Sequence, residues 1–118
     1  MTTPLVTTPF WVNAAKVELE DWGPSKTATA GNPVMAGKIL SANPDGSSEC
    51  GIWSCTPGTR TITIASDEFC VFLGGKGLYI HESGEEIAVE AGSIVFFPGG
   101  WTGTSIITET LSKAFMSR

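Results

Sequence analysis

The chain has 118 residues, seven basic and twelve acidic, for a formal net charge of −5. It is expected to be one domain with no electrostatic reason to bind nucleic acid or an acidic membrane, and its scattered basic residues form no stripe that could track phosphates. Hydrophobic residues make up 42% and charged ones 16%, and mean hydropathy is +0.14, which suggests surface hidden in an oligomer or an unusually large interior. No stretch approaches the about 20 apolar residues that span a bilayer. No positive charge precedes Lys16, and the three cysteines, an odd number, fit free thiols, so a cytoplasmic protein is expected.

Residues 1–10 (MTTPLVTTPF) carry two prolines, four threonines and no charge, and read as an extended arm rather than a helix. Such an arm needs something to pack on, for instance a partner subunit. Residues 16–21 are short and acidic and end at Trp22-Gly23-Pro24, and 25–33 read as a loop of small residues. From Gly37 onward strands are expected at 37–43, 49–56, 59–65, 87–89, 93–97, 101–108 and 111–116, with turns at Pro44-Asp45-Gly46, Pro57-Gly58, Glu82-Ser83-Gly84-Glu85, Ala91-Gly92 and Pro98-Gly99-Gly100. Many short strands without a helix of note indicate an antiparallel sandwich or barrel.

The stretch 66–80 organises this pattern. An apolar run over 68–73 starts with one carboxylate, Gly74-Gly75 are expected to form a tight turn, and 76–80 return as a second strand. Side chains alternate along a strand, so Glu68, Cys70 and Phe72 share one face and Phe69, Val71 and Leu73 the other. Both faces are apolar apart from Glu68, so the strand is expected to be buried on both sides. A carboxylate there is costly unless paired or hydrogen-bonded.

Several fragments carry a resemblance. Glu68, six residues and Gly75, then Gly92, five residues, Pro98, one residue and Gly100, resemble parts of the two cupin motifs. Together with Glu20-Asp21-Trp22-Gly23-Pro24, Pro44-Asp45-Gly46, Gly51-Ile52-Trp53, Cys55-Thr56-Pro57-Gly58, Asp67-Glu68-Phe69-Cys70 and Gly100-Trp101-Thr102-Gly103-Thr104, they resemble the small single-domain cupins grouped with ureidoglycine aminohydrolase and with the cupin of ethanolamine utilisation. The match runs from about Trp11 to Met116. It implies an all-β, RmlC-like cupin fold, a double-stranded β-helix barrel of the jelly-roll kind spanning 1–118, and a homodimer. The sequence departs from the metal-binding members, in which two histidines precede the glutamate and another follows Pro-x-Gly. Those positions fall here on Ile62 and Ile64 (or Thr61 and Thr63 with a one-residue shift) and on Gly103, so no metal and no cofactor are expected. Ser93 and Gly74 also stand where acidic residues are common in the family.

The lone histidine, His81, beside the turn at 82–85, reads as a solvent-facing hairpin residue. Cys50 and Cys55 lack the second ligand pair of a zinc site, and their odd separation puts them on opposite faces of a strand. There is no Gly-x-Gly-x-x-Gly before a helix and no serine nucleophile with a histidine to activate it. Trp53 and Trp101 read as core packing or as a stacking wall for a ligand, and Arg60 as a surface residue or a guide for an anion. Glu68 is either a carboxylate satisfied by hydrogen bonds or a general acid–base in an apolar pocket. The candidate ligand-binding set is therefore Trp53, Arg60, Cys70, Phe72, Tyr79, Trp101 and Thr102, with Glu68 as the one catalytic candidate and Ile62 and Ile64 filling the space the histidines leave. Three functions compete: a module that binds a small polar metabolite without turnover, a metal-independent or weakly metal-dependent hydrolase or isomerase using Glu68, and a structural dimer with a vestigial pocket. Without histidines nothing would activate a metal-bound water, and the retained glutamate argues against a vestigial pocket, so the binding module is favoured.

Overall fold

A computed structural model describes residues 8–118. After a single 3₁₀ turn at Ala14–Lys16, capped by the Asn13 side chain, nine strands follow: β1 Glu20–Pro24, β2 Ala28–Gly31, β3 Val34–Ala42, β4 Glu49–Cys55, β5 Gly58–Ile64, β6 Glu68–His81, β7 Glu86–Glu90, β8 Ile94–Phe97 and β9 Trp101–Ser117. All pairings are antiparallel. The order β1-β3-β4-β9-β5-β2 forms one path, and β6 pairs with β7, β8 and β9. This is the all-β jelly-roll barrel expected from the sequence.

The long strand β9 holds the two halves together. Its first half pairs with β5 and the end of β6, and its second half with β4 and the start of β6. The expected break between 108 and 111 therefore does not occur, because on one side β6 continues the ladder past it, while on the other β5 hands over to β4 between Ile107 and Leu111. The turn at Gly74-Gly75 is not formed either, and β6 runs through. Instead its register against β9 shifts between Phe72 and Gly77. Gly75 has φ +86°, and a Cβ there would collide with the Thr110 carbonyl, so the glycine permits a bulge that brings β6 against β9. The bulge also changes the phase of the strand. Before it Cys70 and Phe72 are buried, and after it Tyr79 is. An uninterrupted alternation would have put Tyr79 outside.

Two further expectations are corrected. The segments around 20–24 and 28–31 are strands, not an acidic stretch and a loop. All of β2 is exposed, and its pairing with β5 through backbone hydrogen bonds leaves no hydrophobic pattern to read. The first half of β6 is buried on one face only: Phe69 is 47% and Leu73 37% exposed on the outside.

The interior is built from alternate residues of these strands. Tyr79 lies at its centre, with ring centroids 6.0 Å from Phe72, 5.2 Å from Phe97 and 6.2 Å from Trp101. Leu111, Cys55 and Cys70 are fully buried around them. The expected arm over 1–10 lies mostly outside the described residues; of its end, Phe10 is exposed.

Candidate functional site

Beside this core, one end of the interior stays open as a cavity of about 230 Å³. Strand alternation decides what faces it. On β5 the inward residues are Arg60, Ile62 and Ile64, on β4 Trp53, on β6 Glu68 and Tyr79, and on β9 Lys113 and Phe115; Trp22 and Glu49 complete the lining. The polar centre is an ion pair: Lys113 Nζ donates to Glu68 Oε2 at 2.6 Å, with side chains 8% and 15% exposed. Two cations lie over the Trp53 ring, Lys113 Nζ at 4.7 Å and the Arg60 guanidinium carbon at 4.9 Å from its centroid.

Burial would push the Lys113 ammonium down. The negative charges that Tyr79, Glu68 and Cys70 carry when ionised outweigh it and hold the amine above its ordinary value. At neutral pH Tyr79 and Cys70 keep their protons, and there it is the 2.6 Å bond to Glu68 that makes Lys113 an ammonium and not a free-base nucleophile. Burial pushes the Cys70 thiol up to about 11, partly offset by Lys113, so this thiol is protonated and unreactive. Cys55 moves the same way for the same reason, with Arg60 opposing.

The other sequence candidates are placed as follows. Trp53, Arg60, Tyr79 and Glu68 meet at the cavity, and Ile62 and Ile64 line it. Cys70 and Phe72 share the inward face with Glu68 but lie in the packed core, where the Cys70 thiol donates to the Val95 carbonyl. Trp101 packs edge-on against Phe97, 5.1 Å between centroids, in the same core. Thr102 is on the opposite face of β9 from Trp101, within hydrogen-bond reach of Thr63. His81 does not stand in solvent: it is half-buried at the end of β6, its ring 5.3 Å from Trp101 and its Nδ1 accepting from the Ser83 N–H. Cys55 is buried and Cys50, on the outer face, half-exposed. Lys113, which completes the pair, was absent from the sequence candidates.

The donor set does not fit the metal of the histidine-bearing cupins. Among the described residues no three His, Cys, Asp or Glu side chains gather. Glu68 already holds an ammonium, two isoleucines flank it, and a Cβ at Gly103 would strike the Ile80 carbonyl and the Trp101 ring.

Comparison with known proteins decides the family. The family model described as the EutQ-like cupin domain matches residues 42–115, more than half of the chain. The chain belongs to this family. No curated protein matches this cupin in sequence. Among solved structures it is similar to a protein of unknown function of the DUF861 family from Pseudomonas syringae pv. tomato, with a TM-score of 0.78 and 19% identity over 87% of this chain. The match covers 45% of that protein, so this cupin spans less than half its length. It is also similar to the EutQ protein of Clostridium difficile, with a TM-score of 0.62 and 20% identity over 72% of this chain and 68% of that one. A cupin superfamily protein of Desulfitobacterium hafniense matches nearly end to end, covering 96% and 93%, with a TM-score of 0.65 at 9% identity. At such identities the likeness is one of fold.

Proposed function

We propose that this cupin binds a small polar metabolite in its barrel cavity without turning it over. The observation that carries the reading is the Glu68–Lys113 pair. Taking two charges out of water is costly and adds little net stability, so an ion pair at the wall of a largely aromatic and aliphatic cavity serves recognition better than folding. Aromatic and aliphatic walls with a few convergent polar groups make up the usual small-molecule site. The alternative, a metal-independent or weakly metal-dependent hydrolase or isomerase related to ureidoglycine aminohydrolase, needs Glu68 free to exchange a proton. The short bond from Lys113 opposes that role.

The test is a screen of small polar metabolites by the shift of the Trp53 indole N–H resonance, assigned with Trp53→Phe. At least one compound is expected to move it, to raise the melting temperature and to remain chemically unchanged on long incubation, and Glu68→Gln is expected to weaken its binding. No shift from any compound would overturn the binding reading, and a new product in the spectrum would replace it with the enzymatic one.

The same reading includes a homodimer. The outer face of the barrel carries a cross-strand row Cys50, Met116, Phe69 and Phe96, with Ile94 beside it on β8. Met116, Phe69, Phe96 and Ile94 are between 47% and 68% exposed. A contiguous apolar face of this kind on a chain with so few charges fits a second copy of itself.

A further inference from the structure

Among the described residues, three buried side-chain polar atoms make no hydrogen bond to protein: Arg60 Nε, Ser105 Oγ and the Tyr79 hydroxyl. They are not scattered. Arg60 on β5 is the cross-strand partner of Ser105 on β9, and Ser105 is the partner of Tyr79 on β6. The three form one row across three adjacent strands on the inward face. Tyr79 and Ser105 are each 1% exposed. Proteins rarely leave one such group unpaired, so three in a single row indicate a site built for something that is not protein.

Two of the three, Arg60 and Tyr79, border the cavity. The charge there is unbalanced. Lys113 is matched by Glu68, whereas Arg60 has no carboxylate within ion-pair distance among the described residues; its guanidinium lies over the Trp53 ring, and its one side-chain hydrogen bond there is a long one to the Met35 sulfur, at 3.9 Å. The other carboxylate on the lining, Glu49, belongs to an exposed residue. One positive charge therefore remains uncompensated. Arg60 Nε can only donate, and burial holds the Tyr79 hydroxyl protonated, so it too can donate.

We propose that Arg60 and Tyr79 form a subsite for the carboxylate of a small metabolite whose apolar remainder lies against Trp53, Ile62 and Ile64. This rests on the reading of the barrel as a metabolite-binding site and names the group it recognises. A guanidinium matches a planar carboxylate in geometry. A phosphate dianion would exceed the single free charge and meet the nearby Glu68. Ser105 lies between the two on β9 without bordering the cavity and is assigned no contact.

The experiment compares butyrate, butyramide and inorganic phosphate by titration of the Trp53 indole N–H resonance. Butyrate is expected to bind about tenfold or more tightly than butyramide, the difference that charge-assisted hydrogen bonds typically make. Tyr79→Phe removes a hydroxyl with no protein partner, so it is expected to leave the melting temperature unchanged or higher while weakening butyrate severalfold. Arg60→Lys keeps a charge but loses the fork and is expected to weaken butyrate as well; the exposed Arg118→Gln serves as a control with unchanged binding. Equal binding of acid and amide would overturn the carboxylate subsite and leave the binding barrel standing. Tighter binding of phosphate would also overturn it. Butyrate affinity untouched by Tyr79→Phe and Arg60→Lys would place the carboxylate elsewhere. Absence of binding by all three probes would overturn the subsite, while the metabolite screen separately decides the barrel.

Discussion

Lys113 and Glu68 meet at 2.6 Å although their strands set them four residues out of step: Lys113 is paired with Phe72 on β6, and Glu68 with Ser117 on β9. The lysine side chain runs along the sheet, over the Trp53 and Phe97 rings, to reach its partner. Removing one member would leave the other charge buried beside aromatic rings. Glu68→Leu and Lys113→Met are each expected to cost roughly 3 kcal/mol, and the double variant, with no charge left to strand, to be more stable than either. A double-mutant cycle by urea denaturation should give a coupling of roughly 1–3 kcal/mol. Additive losses would show that the pair does not act as a unit.

This pair also marks the limit of what the sequence discloses. Most of the strands, the barrel and the inward direction of Glu68, Cys70 and Phe72 follow from turn residues and period-two alternation. Lys113 does not, because a lysine among Ser112, Ala114 and the polar end of the chain looks like one more scattered base. Alternation within 111–116 puts it on the face of Leu111 and Phe115, but its pairing with Glu68 depends on the register of β9 against β6, strands far apart in sequence. The Gly74-Gly75 bulge misleads in the same way. Two glycines in a row give the local signal of a hairpin turn, and only the continuing ladder with β9 makes them a bulge. The small residues of β2 are held by backbone bonds alone, which leave no trace in side-chain pattern. The row of Arg60, Ser105 and Tyr79 needs the register of three strands at once, so Arg60 and Tyr79 can be singled out from sequence but not Ser105 or the arrangement.

Alkaline pH should destabilise the fold. Burial raises the Cys70 thiol from 9.0 to about 11, and the Tyr79 hydroxyl and the Lys113 ammonium are also held above their ordinary values. Each group keeps its proton longer in the folded than in the unfolded chain, so the unfolded state binds fewer protons and stability falls as pH rises. For Cys70 the loss begins near pH 9, where the unfolded thiol ionises, and is complete near pH 11, a window worth roughly 2–3 kcal/mol. Tyr79 and Lys113 extend it upward from about pH 10. Melting temperatures are expected to be flat from pH 7 to 8.5 and to drop steeply above 9. Cys70→Ala should reduce the drop between 9 and 11. A melting curve insensitive to pH across that range would contradict the buried, protonated state of these groups.

The exposed row on the outer face makes the last prediction. Phe69 lies between Met116 on β9 and Phe96 on β8, so it occupies the middle of the row, and at 47% exposure it stands outside the core cluster. If a second copy covers this face, a charge placed at Phe69 is buried unpaired in the dimer and solvated in the monomer. Phe69→Glu is therefore expected to shift the protein from dimer to monomer in light scattering at micromolar concentration. The monomer should keep its β-sheet circular dichroism, since an outward substitution leaves the core aromatics untouched. Asp67 stands close by, just before β6, so a second acid also adds repulsion across a two-fold contact. Ile94→Arg, on the neighbouring strand and 68% exposed, tests the extent of the same face from its rim and is expected to weaken association less than the central change. A wild-type protein that scatters as a monomer would refute the dimer outright. A dimer that survives both substitutions would place the contact on another surface.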